Sequence, residues 1–196
     1  MPSNGWRALG TAKVLGYLRA DLKSALSGIW VIGPWVDAFF AQMLVDLLPA
    51  KAELRVVTRP LNGADSSFRE HAIAARICFD DRPNTRVRLL SNLHAKLVIV
   101  DERIVYCGSA NWYRYSLQES REIVLRGLVE GASGLLDEVQ VLWDEAKPDP
   151  RAERSSRTET TAHGYTKEVI DPVAEAKLKE VPGSFVLRRS PRRRIE

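Results

Sequence analysis

The chain has 196 residues, 45% of them hydrophobic and 28% charged, with a net charge of +4. That is enough apolar side chain for one full core, so a fibrous or wholly disordered chain is excluded and one domain with an appendage is expected. In the opening residues Arg7, Lys13, Arg19, Asp21 and Lys23 recur too often for a membrane span or the apolar centre of a signal peptide, so a cytoplasmic protein with no stable membrane anchor is expected.

Taken in chain order, Leu15, Leu18, Leu22 and Leu26 recur at helical spacing, and Gly28 then opens the apolar run IWVIGPW. This reads as a helix followed by a buried strand. Residues 37–48 (DAFFAQMLVDLL) are helical in pattern, ELRVVT is a strand, and ADSSFREHAIAARICF is a further helix with Asp65 or Ser66 as its cap. TRVRLL, KLVIVD, IVYCG and EIVLRG are strand candidates, and residues 133–146 put Leu135, Leu136, Val139, Leu142 and Trp143 on one helical face. Such alternation predicts an α/β fold, an α-β-α sandwich with a mixed central sheet and helices on both faces.

After Lys147 the pattern stops. Residues 1–147 are read as one folded domain and residues 148–196 as a weakly structured tail rich in Pro, Arg, Ser and Thr, which packs weakly or folds on a partner protein. The tail holds 11 Lys and Arg against 8 Asp and Glu, which leaves 18 against 17 before it. The excess base is densest at Arg188, Arg189, Arg192, Arg193 and Arg194, where it could grip phosphate or stay solvated. Cys78 and Cys107 sit in apolar surroundings with no second thiol or histidine at metal spacing, and are read as reduced core cysteines.

The stretch NLHAKLVIVDERIVYCGSANW, residues 92–112, places His94 and Lys96 at the head of an apolar run in a chain with three histidines. A polar group entering a buried strand costs free energy unless it is paired or used. If Glu102 and Arg103 form the turn of a hairpin, Lys96 faces Ser109 and His94 faces Asn111, so four polar side chains share one spot. A register slip of one residue throws Ser109 and Asn111 to the opposite face, and Gly108 permits a bulge. Such a cluster suits a phosphate anion better than a metal, since Lys repels a cation and no second soft ligand is near. Lys96 and Asn111 can donate to non-bridging oxygens while the imidazole attacks phosphorus, with Glu122 as the acceptor that orients the ring.

His94-Ala95-Lys96, four residues, Asp101, six residues and Gly108-Ser109-Ala110-Asn111 resemble the HKD motif of the phospholipase D superfamily, with an acidic residue downstream at Glu122. The resemblance covers roughly residues 10–146. It implies that His94 forms a covalent phosphohistidine, that Lys96 and Asn111 hold the phosphate, that Ser109 supports the nucleophile or a phosphate oxygen, and that Glu122 orients His94. Asp101, grouped with these catalytic positions, is expected to fix the turn rather than touch substrate.

The same resemblance implies a second HKD motif to protonate the leaving group. This chain has one, because His71 and His163 lack the neighbouring Lys and Asn, so a homodimer with two facing His94 side chains is expected. No metal and no cofactor is called for. Trp112, Tyr113 and Tyr115 are core, rim or a stacking surface for bases, with Trp112 and Arg114 counted as substrate contacts and Arg59 and Arg121 as further phosphate candidates. Trp30 and Trp35 are read as packing residues. The substrate favoured is DNA or RNA, within a restriction or defence system. A phospholipase-type lipid hydrolase or transferase is the alternative, and a nucleic-acid-binding subunit without turnover is a third reading from another class.

Overall fold

The computed structural model describes residues 5–61, 66–80 and 82–150. The tail expected beyond Lys147 therefore lies outside the described residues from position 151 on, as do His163, the arginine run and the Asp65 cap. The elements are β1 (Arg7–Gly10), α1 (Thr11–Lys23), β2 (Gly28–Ile32), α2 (Ala38–Leu47), β3 (Glu53–Thr58), α3 (Ser66–Asp80), β4 (Thr85–Leu89), β5 (Leu97–Val100), β6 (Ile104–Gly108), α4 (Arg114–Gln118), β7 (Ile123–Leu128), a 3-10 turn (Val129–Gly131), α5 (Leu135–Glu145) and β8 (Lys147–Pro148). One mixed sheet orders the strands β1-β7-β6-β5-β2-β3-β4-β8. Strands β2, β3 and β4 run parallel, and the remaining pairings are antiparallel.

The sheet has a core on each face, as the alternation of elements predicts. Val14, Leu18 and Leu22 of α1, Phe40 and Leu44 of α2, Phe79 of α3 and Leu117 of α4 share one cluster, while Val139 and Trp143 of α5 pack with Trp30, Ile32 and Ile99 on the other. An ion pair ties α1 to β6 and β7, with Arg126 donating to Asp21 at 2.8 and 2.9 Å and the Tyr106 hydroxyl donating to the same carboxylate. Helix α1 stops at Lys23, so Leu26, taken above as its last apolar position, lies in the connection to β2 and is exposed. Packing of the sheet continues past Lys147. Strand β8 pairs with β4, the Asp149 N–H donates to Val87 O at 3.0 Å, and the buried Asp149 carboxylate meets Arg76 of α3 at 3.3 Å.

The β5–β6 hairpin departs from the two-residue turn. Residues 101–103 form the turn, with Asp101 and Glu102 both left-handed at φ 53° and 54°, and Val100 pairs with Ile104. Every partner is thereby shifted by one residue from the Glu102-Arg103 register. The cause is the Asp101 carboxylate, which accepts N–H bonds from Leu26, Ser27 and Gly28 at 2.8 to 3.1 Å and the Ser27 hydroxyl at 2.9 Å. These bonds anchor the turn to the end of the α1–β2 connection and offset the cost of a left-handed non-glycine residue, about 1–2 kcal/mol.

Burial pushes the Asp101 carboxyl up, but the hydrogen bonds from Ser27, Leu26 and Gly28 together outweigh it and hold the group below the usual range. A carboxylate depressed in the folded state adds stability at neutral pH, and that contribution is lost as the pH falls below about 4. Asp101→Asn is therefore expected to lower stability at pH 7 by about 2–4 kcal/mol. The variant should also unfold with a shallower acid limb than the parent in urea titrations between neutral and acid pH. Parallel acid limbs would refute the assignment.

Candidate active site

Sheet topology gathers the motif residues at one edge. Leu97 at the start of β5 pairs with Ile32 at the end of β2 and with Cys107 near the end of β6, while Gly108 pairs with Val124 at the start of β7. His94 and Lys96 lead into β5, Ser109 and Asn111 follow β6, Glu122 precedes β7, and Arg59 follows β3. This is the carboxyl end of the parallel strands, beside β5 where the strand direction reverses, the place where open α/β sheets leave a crevice. His94, Lys96, Ser109 and Asn111 all lie outside the ladder, so the alternation that the shifted register would have imposed does not govern them.

Side-chain bonds then set the geometry. Glu122 accepts hydrogen bonds from the Ser109 hydroxyl and, at 3.0 Å, from the Ser116 hydroxyl of α4. Its own N–H donates to Thr11 Oγ1 at 2.8 Å, and that hydroxyl donates to Ser120 O at 2.7 Å, so the head of α1 clamps the residue in place. Gly108 permits the approach: a Cβ there would meet Ile123 O at 2.3 Å and Val124 Cα at 2.8 Å. Lys96 Nζ donates to His94 O at 3.0 Å, and Arg59 Nε donates to Leu93 O at 2.7 Å, so two cations bracket the backbone at His94. Burial foremost, and the Arg59 guanidinium next, hold the Lys96 ammonium below the usual lysine range, with Glu122 pulling the other way. A bound anion would relieve that repulsion. The Asn111 amide oxygen is buried without a hydrogen-bond partner among the described residues. Such a group is costly unless something satisfies it.

Residues 18–138 match a family described as "Cardiolipin synthase, PLD-like domain". The chain belongs to the phospholipase D superfamily. This phospholipase D-like domain is also similar in fold to NucT from Helicobacter pylori, at 18% identity and a TM-score of 0.60 over 74% of this chain and 99% of that one. It is similar to Nuc from Salmonella typhimurium, a phospholipase D family member, at 18% identity and 0.61 over 74% and 97% of the two chains. The phosphatidylserine synthase of Haemophilus influenzae Rd KW20 is similar at 13% identity and 0.52, over 76% of this chain and 41% of that one. Among curated proteins, none matches by sequence.

Within the phospholipase D-like domain the expected site residues separate into three groups. His94, Lys96, Ser109, Asn111 and Glu122 share the sheet edge, with His94 exposed and Lys96, Asn111 and Glu122 half-buried. Glu122 bonds to the two serines, and no hydrogen bond joins it to His94 among the described residues. Asp101 lies at the other end of β5, where it fixes the turn. Trp112, counted above as a substrate contact, is corrected: its indole is fully buried, stacks on Phe40 at 5.4 Å, and donates to Ile32 O at 2.9 Å. It fits because Gly33 has no side chain, where a Cβ would come within 2.5 Å of the ring. Trp112 thus anchors the segment that carries Asn111 to the end of β2. Arg114 is exposed and bonds to Gln118 at 3.0 Å. Thr11 and Ser116 escaped the sequence analysis, because a helix hydroxyl carries no signal of the carboxylate it will meet.

Proposed function

We propose that the domain is a phosphodiesterase that cleaves nucleic acid through a phosphohistidine on His94, without a metal ion. The observation that carries this reading is the shared sheet edge, where His94, Asn111 and two cations at Lys96 and Arg59 stand at neighbouring strand ends. In the first step a ring nitrogen of His94 forms a bond to phosphorus as the bond to the leaving oxygen breaks, and that oxygen takes a proton. Lys96 and Asn111 hold the non-bridging oxygens as their charge grows. Water then attacks the phosphohistidine and releases the imidazole. Glu122 holds Ser109 and balances the local positive charge.

The proton for the leaving group is assigned to His94 of the partner subunit, because the chain carries one such motif. A sheet face beside the site supports a dimer. Ile123 and Leu125, which directly follow Glu122 on β7, are 65% and 42% exposed although they alternate with buried Val124. Nucleic acid is favoured because the chain spans nearly the whole of NucT and Nuc but under half of the phosphatidylserine synthase. A third similar structure, at 11% identity, TM-score 0.52 and 55% of that chain, is described as an archaeal chromatin protein with a novel mode of DNA binding.

The family description favours one second reading, transfer at a lipid phosphodiester. Labelled single-stranded DNA, duplex DNA, RNA and phosphatidylglycerol vesicles, each incubated in excess EDTA, separate the two. Cleavage of nucleic acid at an undiminished rate is the expected result. Turnover of the vesicles alone would replace it with the lipid reading, and abolition of nucleic-acid cleavage by EDTA would remove the metal-free mechanism.

A further inference from the structure

A cavity lies beside residues 113–119, just after the motif, and the chemistry above leaves it without a task. Its volume is about 390 Å³ and its walls include Phe68, His71, Tyr113, Arg114 and Tyr115. Asp37 also lines it, but both carboxylate oxygens are committed, one to the N–H of Phe40 at 2.9 Å and one to the N–H of Arg114 at 2.8 Å, so that side chain is wall and scaffold. Three of the lining residues are aromatic, and Glu119 completes the wall. Phe68 meets Tyr113 edge-on at 5.7 Å, and the rings of Tyr113 and Tyr115 lie 11° from parallel with centroids 6.5 Å apart. Tyr115 is 57% exposed, so one ring of the cavity is open to solvent.

This cavity adjoins the segment that carries Asn111. Tyr113 follows Asn111 by two residues, and its N–H donates back to Asn111 O at 2.9 Å. From the other side, Arg59 lies 5.5 Å over the ring of Trp35, which contacts Phe68 at 4.1 Å. A row of contacts thus runs from Arg59 through Trp35, Phe68 and Tyr113 to exposed Tyr115.

We propose that the cavity of Phe68, Tyr113 and Tyr115 is a nucleobase subsite, which takes the unpaired base of a nucleotide flanking the scissile phosphate. The proposal rests on the nucleic-acid reading of the adjoining site. Flat rings offer a base a stacking surface, and His71, Arg114 and Glu119, which also line the cavity, can meet its polar edge. A base paired in a duplex cannot enter, so the subsite selects single strands.

The test is a cycle on substrates with one phosphodiester. Thymidylyl thymidine is compared with two analogues in which one or the other base is replaced by hydrogen, using the parent protein, Tyr115→Ala and Tyr115→Phe. The parent should lose about tenfold in kcat/KM on one analogue, Tyr115→Phe should lose the same, and Tyr115→Ala should cleave that analogue and the full dinucleotide equally well. An equal loss in Tyr115→Ala, or no loss on either analogue in the parent, would overturn the subsite while leaving the nuclease intact. Failure of the parent to cleave any nucleic acid would instead remove the nuclease reading, and the subsite with it.

Discussion

His94→Ala is expected to lower kcat on nucleic acid by at least about 10⁴-fold while changing affinity for the uncleaved strand only a few-fold. In the proposed mechanism the imidazole supplies the bond to phosphorus, and no neighbouring side chain can replace it. Ser109 is committed to Glu122, and Lys96 is a cation whose Nζ donates to a backbone carbonyl. Binding should persist, because the groups that attract the diester are Lys96, Arg59 and Asn111, which the substitution leaves in place. His94 is exposed, so the change should not disturb folding. Single-turnover hydrolysis paired with fluorescence anisotropy on the same oligonucleotide measures both quantities. An alkaline quench of the parent should also trap labelled phosphoryl on the protein, and the variant should trap none. Full hydrolysis by His94→Ala would move the nucleophile elsewhere.

The second large effect concerns assembly. On the proposed dimer, Ile123→Asp combined with Leu125→Asp should leave a folded monomer in light scattering, with kcat reduced by roughly 10²–10⁴-fold. Both side chains stand on the face of β7 that α1 does not cover, and a carboxylate at either position remains solvated in a single copy. At a dimer interface the same two carboxylates would be desolvated beside those of the second copy, a cost that apolar contact cannot offset. The rate falls because the leaving oxygen loses its proton donor, not because the nucleophile is disturbed. A monomeric variant with parental kcat would show that one copy completes the reaction alone, and a variant that stays dimeric would place the interface on another face.

Strands β2 to β7 and the four longer helices were legible because each carries its own period. Apolar residues alternate or run unbroken where a strand is buried, and recur at three and four positions where a helix packs on one side. Edge elements were not legible. Strand β1 buries Leu9 alone and β8 is two residues long, so both exist only because β7 and β4 have free edges to pair with. Helix α4 spans five residues and buries Ser116 and Leu117, too short a segment to show a period.

The sequence by itself determined which polar residues gather at the sheet edge. His94, Lys96, Ser109 and Asn111 flank one hairpin, and chain connectivity alone brings their backbones within a few residues of the same strand ends. What those residues touch was decided by tertiary structure. The hairpin register followed from hydrogen bonds between Asp101 and residues 26–28, some seventy-five positions earlier in the chain. The burial of Trp112 followed from the missing side chain of Gly33, and the partners of Glu122 followed from Thr11 and Ser116 on two different helices. Such contacts depend on which elements meet in space. A periodicity or a motif records the environment along one element, and it carries no term for the atoms that another element brings.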